Sequence, residues 1–455
     1  MAERQRENGS PRTWPERVAI AATVTAAVVS FLAAGGLAGA YLLWRDRDTV
    51  AITNPALAAS DGAIAGPVAS VVTATTAPPD ESAPEASSPN GSGQPTTPQG
   101  TTVATPATPP PPTFPPADPT AKNFLITGAD NAECIDPNSP YAPNFGVDGE
   151  DRVGERSDTI MVFRVDPAAS RVAVLSFPRD LYVTIAGGGN RSRINSAYER
   201  DQPQLLIETI YENFLIGIDH FIQIDFCTFK TLVDSVGGVA VPFAYPARDD
   251  KSGLEVLTTG CYTFNGDHAL AYVRSRDYHY EDPPGSGNWE RDVTSDLGRI
   301  SRQQDFLRRT LASVLSKGLL NPSVARGLIE SATGGNVVTD QQLSVSKLME
   351  FAGVLRNVQP GGIPSYQIEA VGEDVNGASV LIPTVDGDNM QAVLGMFRGE
   401  TSLAEAPTQE FAEVITPETR PGAEPVTTEE TVEPPEGDGP EENTFGIVPP
   451  RDVTC

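Results

Sequence analysis

The sequence predicts an α/β protein, with a three-layer α-β-α core around a mixed central sheet, preceded by one transmembrane helix and flanked by disordered segments. Three observations carry this expectation. Across residues 122–399, β-branched and apolar runs of strand length alternate with stretches whose apolar residues recur at helical spacing, the pattern of a sheet covered by helices. Residues 18–44 contain no charged side chain. Pro, Thr, Ala and Ser dominate residues 45–121, and Pro with acidic residues dominates 400–455, so neither stretch carries the apolar periodicity of a packed core.

Taken in order, residues 1–17 form a cytoplasmic stub. Arg4, Arg6, Arg12 and Arg17 precede the uncharged run, and Arg45 and Arg47 follow it. This modest bias points the N-terminus to the cytoplasm. At about 1.5 Å per residue, residues 18–44 exceed a hydrocarbon layer of about 30 Å, so they span the bilayer with some tilt. A cleaved signal peptide is the rival, since Ala38-Gly39-Ala40 fits a small-residue cleavage site, but the apolar run continues through Trp44. Residues 45–121 read as a spacer that holds the core away from the bilayer, reaching about 45–50 Å as a coil.

Within the core, strands are expected at residues 122–127, 159–165, 171–176, 181–185, 220–224, 239–243, 366–371 and 380–382. Helices are expected at 203–214, 226–236, 267–273, 296–317, 341–356 and 389–397. Gly187-Gly188-Gly189 reads as a turn. Residues 277–295 read as a long loop.

The chain has 455 residues, with 60 acidic and 32 basic side chains and a net charge of −28. That balance excludes the basic footprint of a nucleic-acid binder. In the oxidising space beyond a membrane, the four cysteines are expected to bridge. Cys227 with Cys261 is the preferred pair, because both flank the strand at 239–243, and this leaves Cys134 with Cys455. His220, His268 and His279 show no metal-ligand spacing.

No GxxxxGK[ST], GxSxG or HExxH signature occurs. Polar clusters stand instead at the ends of the apolar strands. They are Asp130 after the first, Arg156 and Asp158 before the second, Arg179 after the third, then Arg193 with Asn195, Arg274 with Arg276, and Arg299, Arg302 and Gln303 at the start of the longest helix. Two carboxylates beside phosphate oxygens suit Mg²⁺, with Mn²⁺ as an alternative. Several arginines on one rim suit a polyanion held bidentately. Each cluster also has a plain structural reading: Asp130 as a turn residue, Arg274 and Arg276 solvated, Arg299 and Arg302 paired with Asp296 and Asp305 along the helix.

The ordered blocks FLITGAD, RSDTIMVFRVDP, VAVLSFPRDLYV, RINSAY, IDHFIQIDF, LVDSVGGVAV, FNGDHALAYVRSR and DLGRISRQQ resemble the LytR-CpsA-Psr phosphotransferases, most densely over residues 123–317 and more weakly to about residue 398. The resemblance implies Mg²⁺-dependent transfer of a glycan phosphate from a polyprenyl diphosphate carrier to a peptidoglycan hydroxyl, outside the membrane. It implies that Asp130 and Asp158 hold the metal. Arg179, Arg274, Arg276 and Arg299 would contact the diphosphate with Gln303 beside them, and Arg193 and Asn195 would shape the same site. Arg156 and Arg302 join the expected substrate-binding set. The family often has Arg two residues after the first Asp; Ala132 stands there, so the expectation is either the loss of one phosphate contact or its substitution by Arg152 or Arg156. The competing expectations are a hydrolase of the same donor, a non-catalytic module binding lipid-linked glycan or peptidoglycan, and a membrane-bound regulator. Oligomeric state is not legible.

Overall fold

The structure, a computed structural model, describes residues 48–57, 120–129, 134–136, 138–141, 157–317, 337–359, 362–406, 445–449, 453 and 455. The strands in chain order are β1 (Thr49–Val50), β2 (Lys122–Ala129), β3 (Ser157–Asp166), β4 (Arg171–Ser176), β5 (Tyr182–Thr184), β6 (Arg191–Arg193), β7 (His220–Asp225), β8 (Val239–Phe243), β9 (Ala247–Asp249), β10 (Leu254–Val256), β11 (Gly260–Phe264), β12 (His279–Glu281), β13 (Trp289–Arg291), β14 (Val337–Asp340), β15 (Ser365–Gln367), β16 (Ala370–Val375) and β17 (Ala378–Pro383). The α-helices are α1 (Gln204–Phe214), α2 (Phe226–Ser235), α3 (Gly266–Arg274), α4 (Asp296–Lys317), α5 (Val345–Leu355) and α6 (Asp388–Arg398).

The central sheet has seven strands in the order β1-β14-β7-β2-β3-β4-β15. It is mixed: β2 runs parallel to β7 and antiparallel to β3, and β15 is parallel to β4. Successive side chains on a strand point to opposite faces, and the sequence uses both. Ile160 and Val162 on β3, with Ala173 and Leu175 on β4, join α1 and α6 in one core. Met161 and Val165, with Val172 and Val174, join Phe351 and Val354 of α5 in another. This is the expected three-layer arrangement. A third core packs α2, α3 and α4 against the β8–β11 hairpin and the small sheet β10-β9-β12-β13.

Local chemistry sets the element ends. Asp225 ends β7 and caps α2, its side chain accepting from the Thr228 amide, a bond of about 1 kcal/mol. Asn265 caps α3 in the same way through the His268 amide. Gly298, in the first turn of α4, lies so close to Thr294, Asp292 and Arg302 that a Cβ there would collide with them.

The structure departs from expectation in several places. Residues 366–371 are not one strand: β15 ends at Gln367, and β16 pairs with β17 across Asn376-Gly377, both with positive φ. Residues 277–295 are a folded hairpin, β12 with β13, rather than a loop. The disulfides are Cys134–Cys227 and Cys261–Cys455, with Cα separations of 5.6 and 5.7 Å, not Cys227–Cys261. Parallel pairing of β2 with β7 sets Ala129 beside Asp225, so the chain leaving β2 passes the start of α2, where Cys227 stands. Cys261 lies on β11 opposite Pro242, and its partner is Cys455 of the tail. No helix among the described residues is long and apolar enough to cross a membrane, and residues 18–44 lie outside them. Asp48–Leu57, expected in the disordered spacer, packs on the core, and Phe445–Pro449 of the tail lies against α4.

Candidate active site

Asp158, on the second residue of β3, stands at the rim where β2 ends. Three arginines from three separate elements converge on it. Arg179, in the turn after β4, donates to Oδ1 at 2.5 Å. Arg276, just past the end of α3, donates to Oδ2 at 2.6 Å. Arg299, in the first turn of α4, reaches Oδ2 at 3.3 Å and the Asp158 carbonyl at 3.1 Å. Asp296 bridges two of them, meeting Arg276 Nε at 3.1 Å and Arg299 at 2.9 Å. The helix pairing expected for Arg299 and Asp296 is therefore present, and the same guanidinium also serves Asp158.

Burial opposes the charge of Asp158, but Arg299, Arg276 and Arg179 outweigh it and hold its carboxyl down at about 2. Arg274 is affected by the same charges: burial first, eased by Asp158 and reinforced by Arg276, brings its guanidinium down to about 10. It lies 5.6 Å from the centre of the Phe226 ring. Arginine side chains stay cationic at neutral pH. The carboxylates facing them are Asp158, Asp296 and Asp180, the last 3.5 Å from Arg179 Nε.

The other expected residues fall in different places. Arg193 pairs with Asp180 at 3.2 Å and donates to the Ser379 carbonyl at 2.8 Å, tying the β5–β6 hairpin to β17. The Asn195 amide donates to the Arg179 carbonyl at 3.2 Å. Arg179, Asp180, Arg191, Arg193 and Asn195 line a cavity of about 460 Å³ that opens beside the cluster. Gln303 donates to the Val273 carbonyl at 2.9 Å, while its buried Oε1 has no hydrogen-bond partner among the described residues. Arg302 is directed elsewhere. It is fully buried, with Asp292 at 2.8 Å, the Ser275 carbonyl at 3.0 Å and the Tyr278 ring centre at 4.3 Å. These contacts make it part of the scaffold behind Arg276. Asp130, Arg152 and Arg156 lie outside the described residues.

Sequence reasoning missed Asp249. Its buried carboxylate accepts from Ser275 Oγ at 2.7 Å, the Arg276 amide at 3.0 Å and the Asp277 amide at 2.9 Å. It thus fixes the backbone from which Arg276 projects. An Asp at the end of a short strand, followed by Asp250, carries no signal of this in sequence.

Among the described residues, no group of three or more His, Cys, Asp or Glu side chains is placed to hold a metal ion. Asp158 is the described member of the expected Mg²⁺ pair, and both its oxygens are engaged by guanidiniums. Its expected partner, Asp130, lies outside the described residues, and none of the steps assigned to the described residues passes through a cation.

The LytR_cpsA_psr family model matches residues 116–394. The chain belongs to the LytR-CpsA-Psr family. The match takes in β2 and the whole Asp158 cluster and ends within α6; β1 and the tail lie outside it. Among curated relatives, the chain is 33% identical over 219 residues to the "Probable cell wall biosynthesis protein LcpB" of Corynebacterium glutamicum, covering 48% of each chain. It thus spans about half the length of that relative. It is 30% identical over 264 residues to the "Polyisoprenyl-teichoic acid–peptidoglycan teichoic acid transferase TagU" of Halalkalibacterium halodurans, covering 57% of this chain and 78% of that one. Of solved structures, TagV of B. subtilis aligns over 63% of this chain and 100% of its own, at 21% identity and a TM-score of 0.47.

Proposed function

We propose that this LytR-CpsA-Psr protein attaches a glycopolymer to peptidoglycan outside the membrane, moving a glycan phosphate from a polyprenyl diphosphate carrier to a peptidoglycan hydroxyl. The observation that carries the reading is the convergence of Arg179, Arg276 and Arg299 on Asp158, with Arg274 close by. Family membership and the activity for which the TagU relative is named support it. An extracytoplasmic location is supported by the uncharged run at 18–44 and by the pairing of all four cysteines.

The chemistry needs positioning and charge neutralisation more than a protein nucleophile. A guanidinium has five donors. Arg179 and Arg276 each spend only part of theirs on carboxylates. The remaining donors take the diphosphate oxygens. The acceptor hydroxyl oxygen attacks the phosphorus bonded to the glycan. The bond from that phosphorus to the bridging oxygen breaks, polyprenyl phosphate leaves with the electron pair, and the hydroxyl proton passes to solvent water. The arginines hold the charge that grows on it. Asp158, held at about 2, is too weak a base at neutral pH to take the hydroxyl proton. The adjoining cavity, with Arg191, Arg193 and Asn195 in its wall, accommodates the sugar next to the phosphate.

Replacing Arg276 with Ala tests the reading. Loss of one such donor is expected to lower transfer about 10²–10³-fold, with the fold intact by circular dichroism. An unchanged rate in the folded variant removes the assignment. Mg²⁺, held between Asp130 and Asp158, belongs to the same proposal. Chelation should abolish transfer and added Mg²⁺ restore it; full activity in chelator refutes the metal.

A further inference from the structure

The chain on the C-terminal side of the uncharged run does not begin as a spacer. β1 pairs in parallel with β14 at the edge of the central sheet, Thr49 opposite Thr339 and Val50 opposite Asp340. The Thr339 amide donates to the Asp48 carbonyl at 3.2 Å, and Val50 and Ile52 pack on the main core. Farther on, the Thr53 amide donates to Gln204 Oε1 at 2.9 Å, and Gln204 Nε2 returns a bond to the Thr53 carbonyl at 3.2 Å. Gly217 leaves no room for a side chain against Asn54 and Ala56.

Asp219 clamps the chain on both sides of residues 58–119. Its Oδ1 accepts from Asn54 Nδ2 at 3.2 Å, and its Oδ2 accepts from the Asn123 amide, at the start of β2, at 2.9 Å. Residues 58–119 therefore leave the domain and return to it at one place. A stretch with both ends fixed at one point adds nothing to the distance between domain and membrane, whatever its length.

The register also gives the direction of entry. β1 is parallel to β14, β14 is antiparallel to β7, and β7 is parallel to β2. β1 thus runs opposite to β2, and the chain ahead of Asp48 lies toward the rim where β2 ends at Ala129 and β3 begins at Ser157, beside Asp158. Four strand spacings separate β1 from β3 in the sheet, about 19 Å. Trp44, the last residue of the uncharged run, is four residues before Asp48, a reach of at most about 14 Å.

We propose that Asp48–Leu57 is a strap seating the catalytic domain directly on the outer bilayer surface, with the Asp158 rim toward the headgroups, and that residues 58–119 are an excursion from the domain rather than a spacer. The partner of this rim is the headgroup layer, where a polyprenyl diphosphate presents its phosphates while its chain stays in the hydrocarbon. The proposal rests on residues 18–44 spanning the membrane.

The test uses the full chain in vesicles with acceptor-labelled headgroups and a fluorescent amino acid at exposed Ser286. Energy transfer reports the height of the domain, and the release of polyprenyl phosphate reports activity. Replacing residues 58–119 with a short Gly-Ser bridge is expected to leave both readings unchanged. A flexible insert of about 30 residues between Arg47 and Asp48, adding about 30 Å of reach, is expected to lower energy transfer and slow release several-fold. If the deletion brings the domain closer to the bilayer, or the insert changes neither reading, the strap is wrong while the anchor stands. If the unaltered chain washes off the vesicles in carbonate, the anchor falls and the strap with it.

Discussion

Asp158 shows how far a single carboxylate can be committed by its neighbours. Its side chain is 44% exposed, yet three guanidiniums hold it ionised. A carboxyl depressed in the folded protein contributes stability above its unfolded value, here 3.8, and loses it as pH falls toward about 2. The pH–rate profile is therefore expected to show no limb from Asp158 at mildly acidic pH. A limb that disappears in Asp158→Asn would contradict this. Asp249 acts one step back. Asp249→Asn turns an amide toward backbone N–H donors and should loosen Arg276, raising KM for the donor more than it lowers kcat, with only a modest fall in melting temperature. Equal kinetics in a folded variant would make Asp249 purely structural. At this scale the arginines were legible in the sequence because each stands at or beside the end of a strand or helix in an ordered motif. Asp249 was not, since its role depends on β9 packing under the 275–277 turn. Arg302 misled because helical spacing puts it near Arg299, but burial gave it to Asp292 and Tyr278.

Among the elements, the long helices and the central strands could be read from periodicity, and α4 spans the expected residues. The three-residue strands β9, β10, β12 and β13 could not, because so short a run carries no period. The Asn376-Gly377 turn between β16 and β17 did leave a signal: that dipeptide between alternating residues marks a hairpin. The disulfides were beyond reach, since they depend on which strands pair. The Cys261–Cys455 bridge closes 194 residues and ties the tail to the domain, where Arg309 also donates to the Val453 carbonyl at 3.2 Å. Cys455→Ser is expected to cost about 2–4 kcal/mol, read as a lower denaturation midpoint with transfer retained. His268 on α3 gives a separate pH effect. Burial lowers its pKa from 6.5 to about 4, and its Nε2 accepts from the Glu255 amide at 3.3 Å. The unfolded chain takes up this proton first, so stability should fall as pH drops from about 6.5 toward 4. His268→Gln should flatten that slope; an unaltered slope would assign it elsewhere.

For the whole molecule, composition marked out the core and the two flanking stretches, but not where the flanks attach. Residues 48–57 carry the same Ala, Thr and Pro as the spacer around them, and only the sheet edge offered by β14 distinguishes them. Their attachment places the arginine-lined rim on the side from which the chain ahead of Asp48 enters the domain.

The central claim is tested most directly by product analysis. The full chain in vesicles would be given a synthetic polyprenyl diphosphate glycan, peptidoglycan fragments and Mg²⁺, and the products identified by mass spectrometry. The account predicts glycan joined to the fragment through phosphate, with polyprenyl phosphate released, and neither product from Arg276→Ala. Free glycan phosphate with unmodified fragments, at a rate that added acceptor does not change, would mean a hydrolase and contradict it.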